Sequence, residues 1–158
     1  MDAQKRGDVS ESKAYDALKW VQHTCPMMVR RVRRAAPAAD ARGIDFLIEL
    51  NIVKGKKRGW MTVPIEVKSS MVGVRKWKMV HPEHHKAGVL IFVINHSLRS
   101  DELGWDFISA LNKLRYNTRN GKLYVPWFLK LFKGKMSPRG EENIRKIKAR
   151  RNKGKSKR

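Results

Sequence analysis

Apolar residues near the N-terminus recur at the spacing of an amphipathic helix. The segment from Asp8 to His23 places four of them at i, i+3, i+4 and i+7, which is one helix face. These residues are Ala14, Ala17, Leu18 and Val21. We expect Asp8 or Ser10 to cap this helix and Pro26 to end it, because proline disfavours a helical residue before it.

Two later segments alternate between apolar and polar positions, which predicts two successive strands. IDFLIEL (44–50) and WMTVPIEVK (60–68) both have this period of two, and they are separated by the basic turn VKGKKRG (53–59). Pro64 cannot donate a ladder hydrogen bond, so we expect an edge position or a bulge there. The arginine-rich segment MMVRRVRR (27–34) has a poor period and stays ambiguous as a strand.

The remaining segments complete the predicted fold. GVLIFVIN (88–95) is continuously apolar, which predicts a strand buried on both faces, and a helix capped by Ser100 or Asp101 is expected to continue to Leu114. Mixed segments predict a loop with a short helix at 69–86, a short strand at 122–125 and a helix or turn at 126–132. This order indicates an α/β fold with a mixed central β-sheet flanked by helices.

The chain is strongly basic. It has 36 Lys and Arg residues against 14 Asp and Glu, a formal net charge of +22 over 158 residues. Hydrophobic residues make up 41%, which is enough for a core and argues against a fully disordered basic peptide. The charge argues against an acidic binding module or an ordinary metabolic enzyme. It favours a polyanionic partner, most commonly nucleic acid.

Length and charge distribution predict one domain with an extension. Residues 1–133 are expected to form the α/β domain, and residues 134–158 a basic C-terminal extension that is helical or disordered. Cys25 is the single cysteine and cannot form an internal disulfide. We find no secretory signal and no apolar run long enough to span a membrane, so we expect a soluble, cytoplasmic protein with no membrane partner.

Polar residues in the two alternating strands form a constellation that can carry chemistry. Glu66 and Lys68 are two apart and project from the same side of the sheet. If the strands pair as a hairpin, the carboxylates of Asp45 and Glu66 converge as hard oxygen ligands for Mg²⁺ or Mn²⁺. Lys68 would then orient an attacking water or stabilise charge on a phosphate. Glu11 comes from the core-facing side of the first helix and would complete the metal shell directly or through water.

The pattern GIDFLIEL, a turn and VPIEVKSS (43–70) resembles the core of the PD-(D/E)xK nuclease superfamily, and most closely its Holliday-junction resolvase and restriction-endonuclease-like branch. By this resemblance the helix glutamate, the metal aspartate, the second metal carboxylate and the catalytic lysine are Glu11, Asp45, Glu66 and Lys68. The backbone carbonyl of Val67 is a further candidate metal ligand. The resemblance covers roughly residues 7–95, and it departs from the family pattern at Ile44, where proline is usual.

The resemblance also implies a fold, an activity and an assembly. Members have a mixed central sheet flanked by helices, the restriction-endonuclease-like fold, and many of them dimerise. The expected activity is Mg²⁺- or Mn²⁺-dependent hydrolysis of phosphodiester bonds in DNA. We favour a structure-selective enzyme such as a junction resolvase, because little of the chain is left for a base-reading domain. The additional helix residue that often follows the E-x-K strand would be Lys76, Lys78 or His84.

Basic and hydroxyl residues are predicted to bind nucleic acid. The arginines of 30–34, the turn at 53–59 and the segment around Lys76 and Lys78 are expected to bracket the site. The full set of candidates is Arg30, Arg31, Arg33, Arg34, Lys56, Lys57, Arg58, Ser69, Ser70, Lys76 and Lys78.

The same residues also admit structural interpretations. Asp45 could pair with an arginine, and Glu66 with Lys68 could form an exposed strand ladder. Glu11 could favour a helix N-terminus for electrostatic reasons alone. In functional terms, the alternatives are a non-catalytic, ribosome- or nucleoid-associated nucleic-acid-binding protein and a nuclease that acts on RNA.

Two other groups of residues are given structural roles. Three histidines lack a nearby cysteine or an H-E-x-x-H spacing and indicate a surface loop rather than a zinc site: His81, His84 and His85. Aromatic residues beside apolar runs belong to a core by default, rather than to a base-stacking surface. These are Trp77, Trp105 and Trp127.

Overall fold

The computed structural model describes residues 3–37, 43–54, 56–80, 89–113, 130–131 and 136–156. Its helices are α1 (Ala3–Thr24), α2 (Met71–Val80), α3 (Ser100–Lys113) and α4 (Pro138–Ser156). Its strands are β1 (Val29–Arg34), β2 (Phe46–Lys54), β3 (Lys57–Lys68), β4 (Leu90–Val93) and β5 (Lys130–Leu131).

The strands form one mixed sheet in the order β1-β2-β3-β4. β2 runs antiparallel to both β1 and β3, and β4 runs parallel to β3. A parallel neighbour requires a crossover, which contains α2. The two-residue β5 pairs with β2 beyond the end of β1. The predicted α/β class, with a mixed sheet and helices packed against it, is confirmed.

The ambiguous arginine-rich segment is a strand with a β-bulge. Val29 lies opposite Leu50, and Arg31 lies opposite Glu49, so Arg30 is the extra residue between two successive pairs. Val29 and Val32 are three apart and would face opposite sides of a regular strand. The bulge turns both valines into the core and leaves the arginines exposed, which explains the poor period of this sequence.

Strands β2 and β3 form the predicted hairpin. Their register runs from Phe46 opposite Ile65 to Lys54 opposite Lys57 without interruption. Pro64 lies inside β3, and the pairing of β4 begins one residue later, with Leu90 opposite Ile65. Since Pro64 precedes that ladder, its missing N–H removes no hydrogen bond to β4, and the edge condition expected from the sequence is met.

The predicted helix start is confirmed for α3 but is wrong for α1. Helix α1 starts at Ala3, ahead of the predicted start at Asp8, and Ser10 is a buried residue of the helix rather than its cap. Helix α3 agrees with its predicted start, and Leu114, its predicted last residue, lies outside the described residues. Helix α2 is the short helix expected within 69–86.

The strand predicted at 88–95 is shorter and less buried than expected. β4 spans four residues, and it is the last strand in the sheet order. Phe92 and Ile94 are buried in the core, whereas Ile91 and Val93 are partly exposed. The expectation of burial on both faces is therefore wrong for this strand.

The basic C-terminal extension contains a helix that packs against the rest of the chain. Ile144 and Ile147 of α4 are buried, and α4 contacts α1 and α3. The Arg151 guanidinium lies 3.0 Å from the Asp106 carboxylate on α3. The predicted strand at 122–125 lies outside the described residues, and 130–131 is a strand rather than the predicted helix or turn.

One face of the sheet packs against α1 and α3 to form the main core. The predicted apolar stripe of α1 is buried there, together with alternate residues of β2 and β3. These strand residues are Phe46, Ile48, Leu50, Val63 and Ile65. In the described part of the chain, no helix has the length and apolarity needed to cross a membrane.

A close approach of α3 to α1 predicts a sharp sensitivity at Gly104. A methyl group there would collide with the Trp20 ring and lie 3.0 Å from the Ala17 carbonyl oxygen. We expect Gly104→Ala to lower the free energy of unfolding by about 1–3 kcal/mol, measured by urea denaturation. Gly154→Ala, in open space on α4, is the matched control and should be neutral or slightly stabilising. Equal denaturation midpoints for the two variants would contradict this packing.

Candidate active site

A pocket of about 230 Å³ opens where α1 meets the ends of β2 and β3. Its lining comes from three distant parts of the sequence: Gly7, Ser10, Glu11, Asp45, Glu66, Val67, Lys68 and Ser69. All the predicted catalytic and metal-binding residues therefore line one cavity. Pairing of β2 with β3 brings Asp45 next to the lining residues of 66–69, and α1 supplies the remaining part of the lining.

Asp45 is fixed by hydrogen bonds through its backbone and its side chain. Gly43, with a left-handed φ of 84°, turns the chain toward β2 just before it. The Asp45 N–H donates to the Ile65 carbonyl, and its own carbonyl accepts from the Ala35 N–H, both at 2.9 Å. Its Oδ2 accepts a 2.7 Å hydrogen bond from the Val67 N–H. The Asp45 carboxylate is thus held against the part of β3 that carries Glu66.

Glu66 is a buried carboxyl group whose two oxygens have different surroundings. The residue is 5% exposed, and its Oε1 lies 2.6 Å from the Lys68 ammonium. No donor within the described residues reaches its Oε2. Burial raises the pKa of Glu66 from its ordinary value of 4.5 to about 8, and the nearby Asp45 carboxylate adds to this rise against the effect of Lys68. Without a cation in the pocket, Glu66 is therefore mostly protonated near neutral pH.

The side chain of Lys68 runs next to α2 and ends at Glu66. Its aliphatic stem passes 3.5 Å from the position that a Cβ would take at Gly73 on α2. Its ammonium is paired with Glu66, and about a quarter of the side chain is exposed at the pocket. As the period of two predicts, Glu66 and Lys68 lie on the same side of the strand.

Glu11 reaches the pocket from the third turn of α1. The helix begins at Ala3, so a preference of acids for helix N-termini does not explain this residue. Tyr15, one turn further on, stacks on Phe46 with ring centroids 5.9 Å apart. This contact places the Glu11 side of α1 over the start of β2, next to Asp45.

Comparison of the chain with protein-family models, with curated proteins and with solved structures gave no match. A function is therefore inferred from the residues of the pocket and from the charges around it.

Sequence reasoning missed the support that Ser10, Lys13 and His96 give to the pocket. Ser10 Oγ is 2.9 Å from His96 Nε2, and the Lys13 ammonium donates to the His96 carbonyl at 2.9 Å. These bonds tie the pocket end of α1 to the segment after β4. Ser10 falls on the helix stripe that contains Ala14 and Ala17, and a polar residue in that stripe was a usable signal. Nothing in the sequence indicates that His96 is its partner.

The β1 arginines differ in their surroundings. Arg30 lies over the Trp60 ring at 5.0 Å, with its Nε 3.9 Å from Glu49. Arg34 lies over the Tyr15 ring at 4.8 Å, near the pocket side of α1. Arg31 and Arg33 are exposed along the strand between them.

The other predicted nucleic-acid-binding residues divide into near and far groups. Ser69 lines the pocket, while the Ser70 hydroxyl accepts from the Gly73 N–H and caps α2. Lys76 is exposed on α2, and nothing is described of the Lys78 side chain. Three candidates lie at the opposite end of the hairpin, about 35 Å along β3 from Lys68: Lys56, Lys57 and Arg58. The expectation that this turn brackets the site is therefore wrong.

The aromatic and histidine predictions have mixed outcomes. Trp77 is buried, as expected for a core residue, and Trp105 is partly buried against Lys148. Trp127 and the three histidines of 81–85 lie outside the described residues. Trp60, which the sequence did not single out, is the exposed tryptophan beside the arginines.

The acids of the pocket do not form a dense metal cage. Among the described residues, no group of three or more His, Cys, Asp or Glu side chains is close enough to hold a metal ion. An arrangement of two carboxylates and several waters is the one that Mg²⁺ commonly takes.

The pKa of Glu66 predicts how stability varies with pH. The folded chain holds this proton up to pH about 8, whereas an unfolded glutamate releases it near 4.5. The stabilisation from this proton is therefore complete below pH about 4.5. It falls progressively as the pH rises from there and is lost once the pH has passed about 8. In EDTA, Glu66→Gln should remove this pH dependence, which is on the order of 4 kcal/mol for the wild type. Urea denaturation from pH 5 to pH 9 measures it, with the exposed Glu142→Gln as the control. A Glu66→Gln variant that keeps the wild-type slope would contradict the assignment.

Proposed function

We propose that this chain is a metal-dependent endonuclease that hydrolyses phosphodiester bonds in DNA. One observation carries the proposal: Glu11, Asp45, Glu66 and Lys68, chosen from sequence, line a single pocket. These four lie on α1, at the start of β2 and at the end of β3. Three acids and a lysine at one cavity are hard to explain as solvated surface charges in so basic a chain, since one of the acids is buried.

The donor set of the pocket fits Mg²⁺ or Mn²⁺. Glu66 Oε2 is a buried oxygen with no donor among the described groups, and such an atom is stabilised either by a proton or by a cation. Asp45 and Glu66 would hold the ion, with the Val67 carbonyl as a further ligand and Glu11 acting through water. When bound, a divalent ion supplies positive charge at the phosphate and lowers the pKa of water.

The residues of the chain prepare the site for this ion and for the attacking water. Glu66 must release its proton from the carboxyl group before it can bind a cation, so binding strengthens as the pH rises toward 8. The Val67 N–H fixes Asp45 in position. The Lys68 ammonium, held by Glu66 Oε1, is placed to orient a water or to stabilise negative charge on the phosphate.

The finer fold and the substrate preference are part of the same proposal. The mixed sheet with α1 and α3 on one face is compatible with the restriction-endonuclease-like fold that the sequence resemblance implies. By that resemblance we further propose a structure-selective, Holliday-junction resolvase-like activity, a homodimer and a cytoplasmic location. The net charge of +22 would draw a DNA substrate to the protein.

The exposed arginines of β1 also support a second function, non-catalytic nucleic-acid binding. Arg31 and Arg33 would contact phosphates whether or not the pocket cleaves them. A ribosome- or nucleoid-associated protein would use these residues alone. An RNA nuclease would use the same pocket on a different backbone.

A cleavage assay tests the proposal on branched DNA, linear duplex and RNA with Mg²⁺, Mn²⁺ or EDTA. We expect metal-dependent cleavage of DNA that falls at least about 100-fold in Asp45→Asn and Lys68→Met, with DNA binding retained. Asn keeps an oxygen that can accept from the Val67 N–H, so the first variant removes charge rather than structure. Lys146→Met, an exposed lysine paired with Glu142 on α4, is the matched control.

Three outcomes would overturn parts of this assignment. Variants that cut like the wild type would show that the pocket is not the active site. Tight binding without cleavage under either metal would favour the non-catalytic function. Cleavage of RNA in place of DNA would favour the RNA nuclease.

A further inference from the structure

The sheet has a second face, opposite the core packed by α1 and α3. In β2 the core residues alternate with residues that point the other way, and the register assigns the matching residues of β1 and β3 to that side. We call this surface the open face. It consists of Arg31, Arg33, Leu47, Glu49, Asn51, Trp60, Thr62 and Pro64. Among the described helices, α2 contacts β3 and β4, and its Gly73 lies next to the side chain of Lys68 at the end of β3.

Trp60 is an exposed aromatic residue of the open face with an arginine over its ring. We call it the aromatic platform. Its side chain is 51% exposed, and the Arg30 guanidinium lies 5.0 Å from the ring centroid. Arg30 is in turn 3.9 Å from the carboxylate of Glu49, a buried residue of β2. A single exposed aromatic residue is ordinary. This one is held at one ring face by a cation that the sheet itself anchors, which leaves indole surface free for a partner.

The charge around this platform suits a phosphate backbone. Arg31 and Arg33 are exposed and, by their pairing with Glu49 and Leu47, lie on the same face. Glu49 is the acidic residue of the open face, and its carboxylate is already next to Arg30. The open face therefore combines positive charge with an aromatic ring, which is the combination that binds single-stranded nucleic acid.

The open face also leads to the candidate active site. Trp60, Thr62, Pro64 and Glu66 alternate along β3 on one side of the strand, and Glu66 lines the pocket. At a rise of about 3.3 Å per residue, Trp60 and Glu66 are roughly 20 Å apart. A strand lying along β3 would therefore pass from Trp60 to the pocket within a few nucleotides.

We propose that the open face binds an unpaired segment of a DNA strand, with a base stacked on Trp60 and phosphates on Arg31 and Arg33. An indole needs the flat face of a base, and bases inside a duplex are already stacked on one another. The choice of DNA and the direction toward the pocket rest on the proposed nuclease function. The substrate would accordingly carry a single-stranded region beside the cleaved bond, as flaps, gaps and opened branch points do.

Binding measurements without metal test this surface separately from cleavage. Fluorescence anisotropy in EDTA would compare a labelled single strand of DNA, the matching duplex and the matching RNA. We expect single-stranded DNA to bind Trp60→Ala about 5- to 100-fold more weakly than wild type, and Trp60→Phe to recover much of the loss. Met79→Ala, at an 83% exposed residue of α2 that is not part of the open face, should bind like wild type.

Salt dependence separates the stacking residue from the arginines. Arg33→Gln should reduce the slope of log affinity against log salt by about 0.7, because one phosphate contact to a single strand is lost. Trp60→Ala should weaken binding with the slope unchanged. The thermal unfolding midpoint of each variant shows whether the fold is retained, and Trp60→Phe tests the platform if Trp60→Ala does not fold.

The inference is overturned if Trp60→Phe and a folded Trp60→Ala both bind as wild type, or if their effect is confined to duplex DNA or to RNA. Cleavage by wild type together with Trp60-independent binding would remove this surface and leave the nuclease assignment intact. Trp60-dependent binding without cleavage under any metal would support the surface and remove the nuclease assignment.

Discussion

Phe46 of β2 lies opposite Ile65 of β3, and this register decides where the polar groups of the pocket are placed. It puts Asp45 next to Ile65, whose carbonyl accepts its N–H, and lets the Asp45 carboxylate reach the Val67 amide. A slip of one residue would send Glu66 to the other face of the sheet, into the core side now filled by Ile65. The apolar alternation that excludes such a slip therefore also positions the site. The core and the pocket are consequences of one pairing.

The pairing of β2 with β3 buries the Glu66 carboxyl group, where its ionised form is energetically unfavourable. Glu66 is desolvated beside Asp45, and Lys68 only partly compensates, so the neutral form is favoured until the pH approaches about 8. A purely structural ion pair would be expected to keep both partners charged. The arrangement instead leaves one buried oxygen without a donor among the described groups, in a cavity wide enough for water or an ion. The pocket thus favours the protonated form of Glu66 and leaves room for water or an ion beside it.

The parts of the fold that follow from short-range periodicity could be predicted, and those that depend on distant contacts could not. The hairpin and the shared side of Glu66 and Lys68 follow from a period of two, so they were available from the sequence. The bulge at Arg30 was not, because VRRVRR has no regular period until a neighbouring strand fixes which residue is extra. The partnership of Ser10 with His96 joins residues 86 apart, and no local pattern encodes it.

Some of the basic residues form ion pairs that stabilise the fold, and others are exposed at the surface. On α4, Arg150 and Arg151 lie 3.3 and 3.0 Å from Asp101 and Asp106 of α3, so these cations help to keep the helix against the domain. Such exposed pairs are weakened by salt, as phosphate contacts are. The arginines of β1 are different, because the bulge turns their neighbouring valines inward and leaves the guanidinium groups on the surface. The same irregularity that hides this strand from sequence analysis therefore supplies the exposed cations, and it does so on the sheet that carries the pocket. A regular strand of this composition would have had to place a valine outside or an arginine in the core.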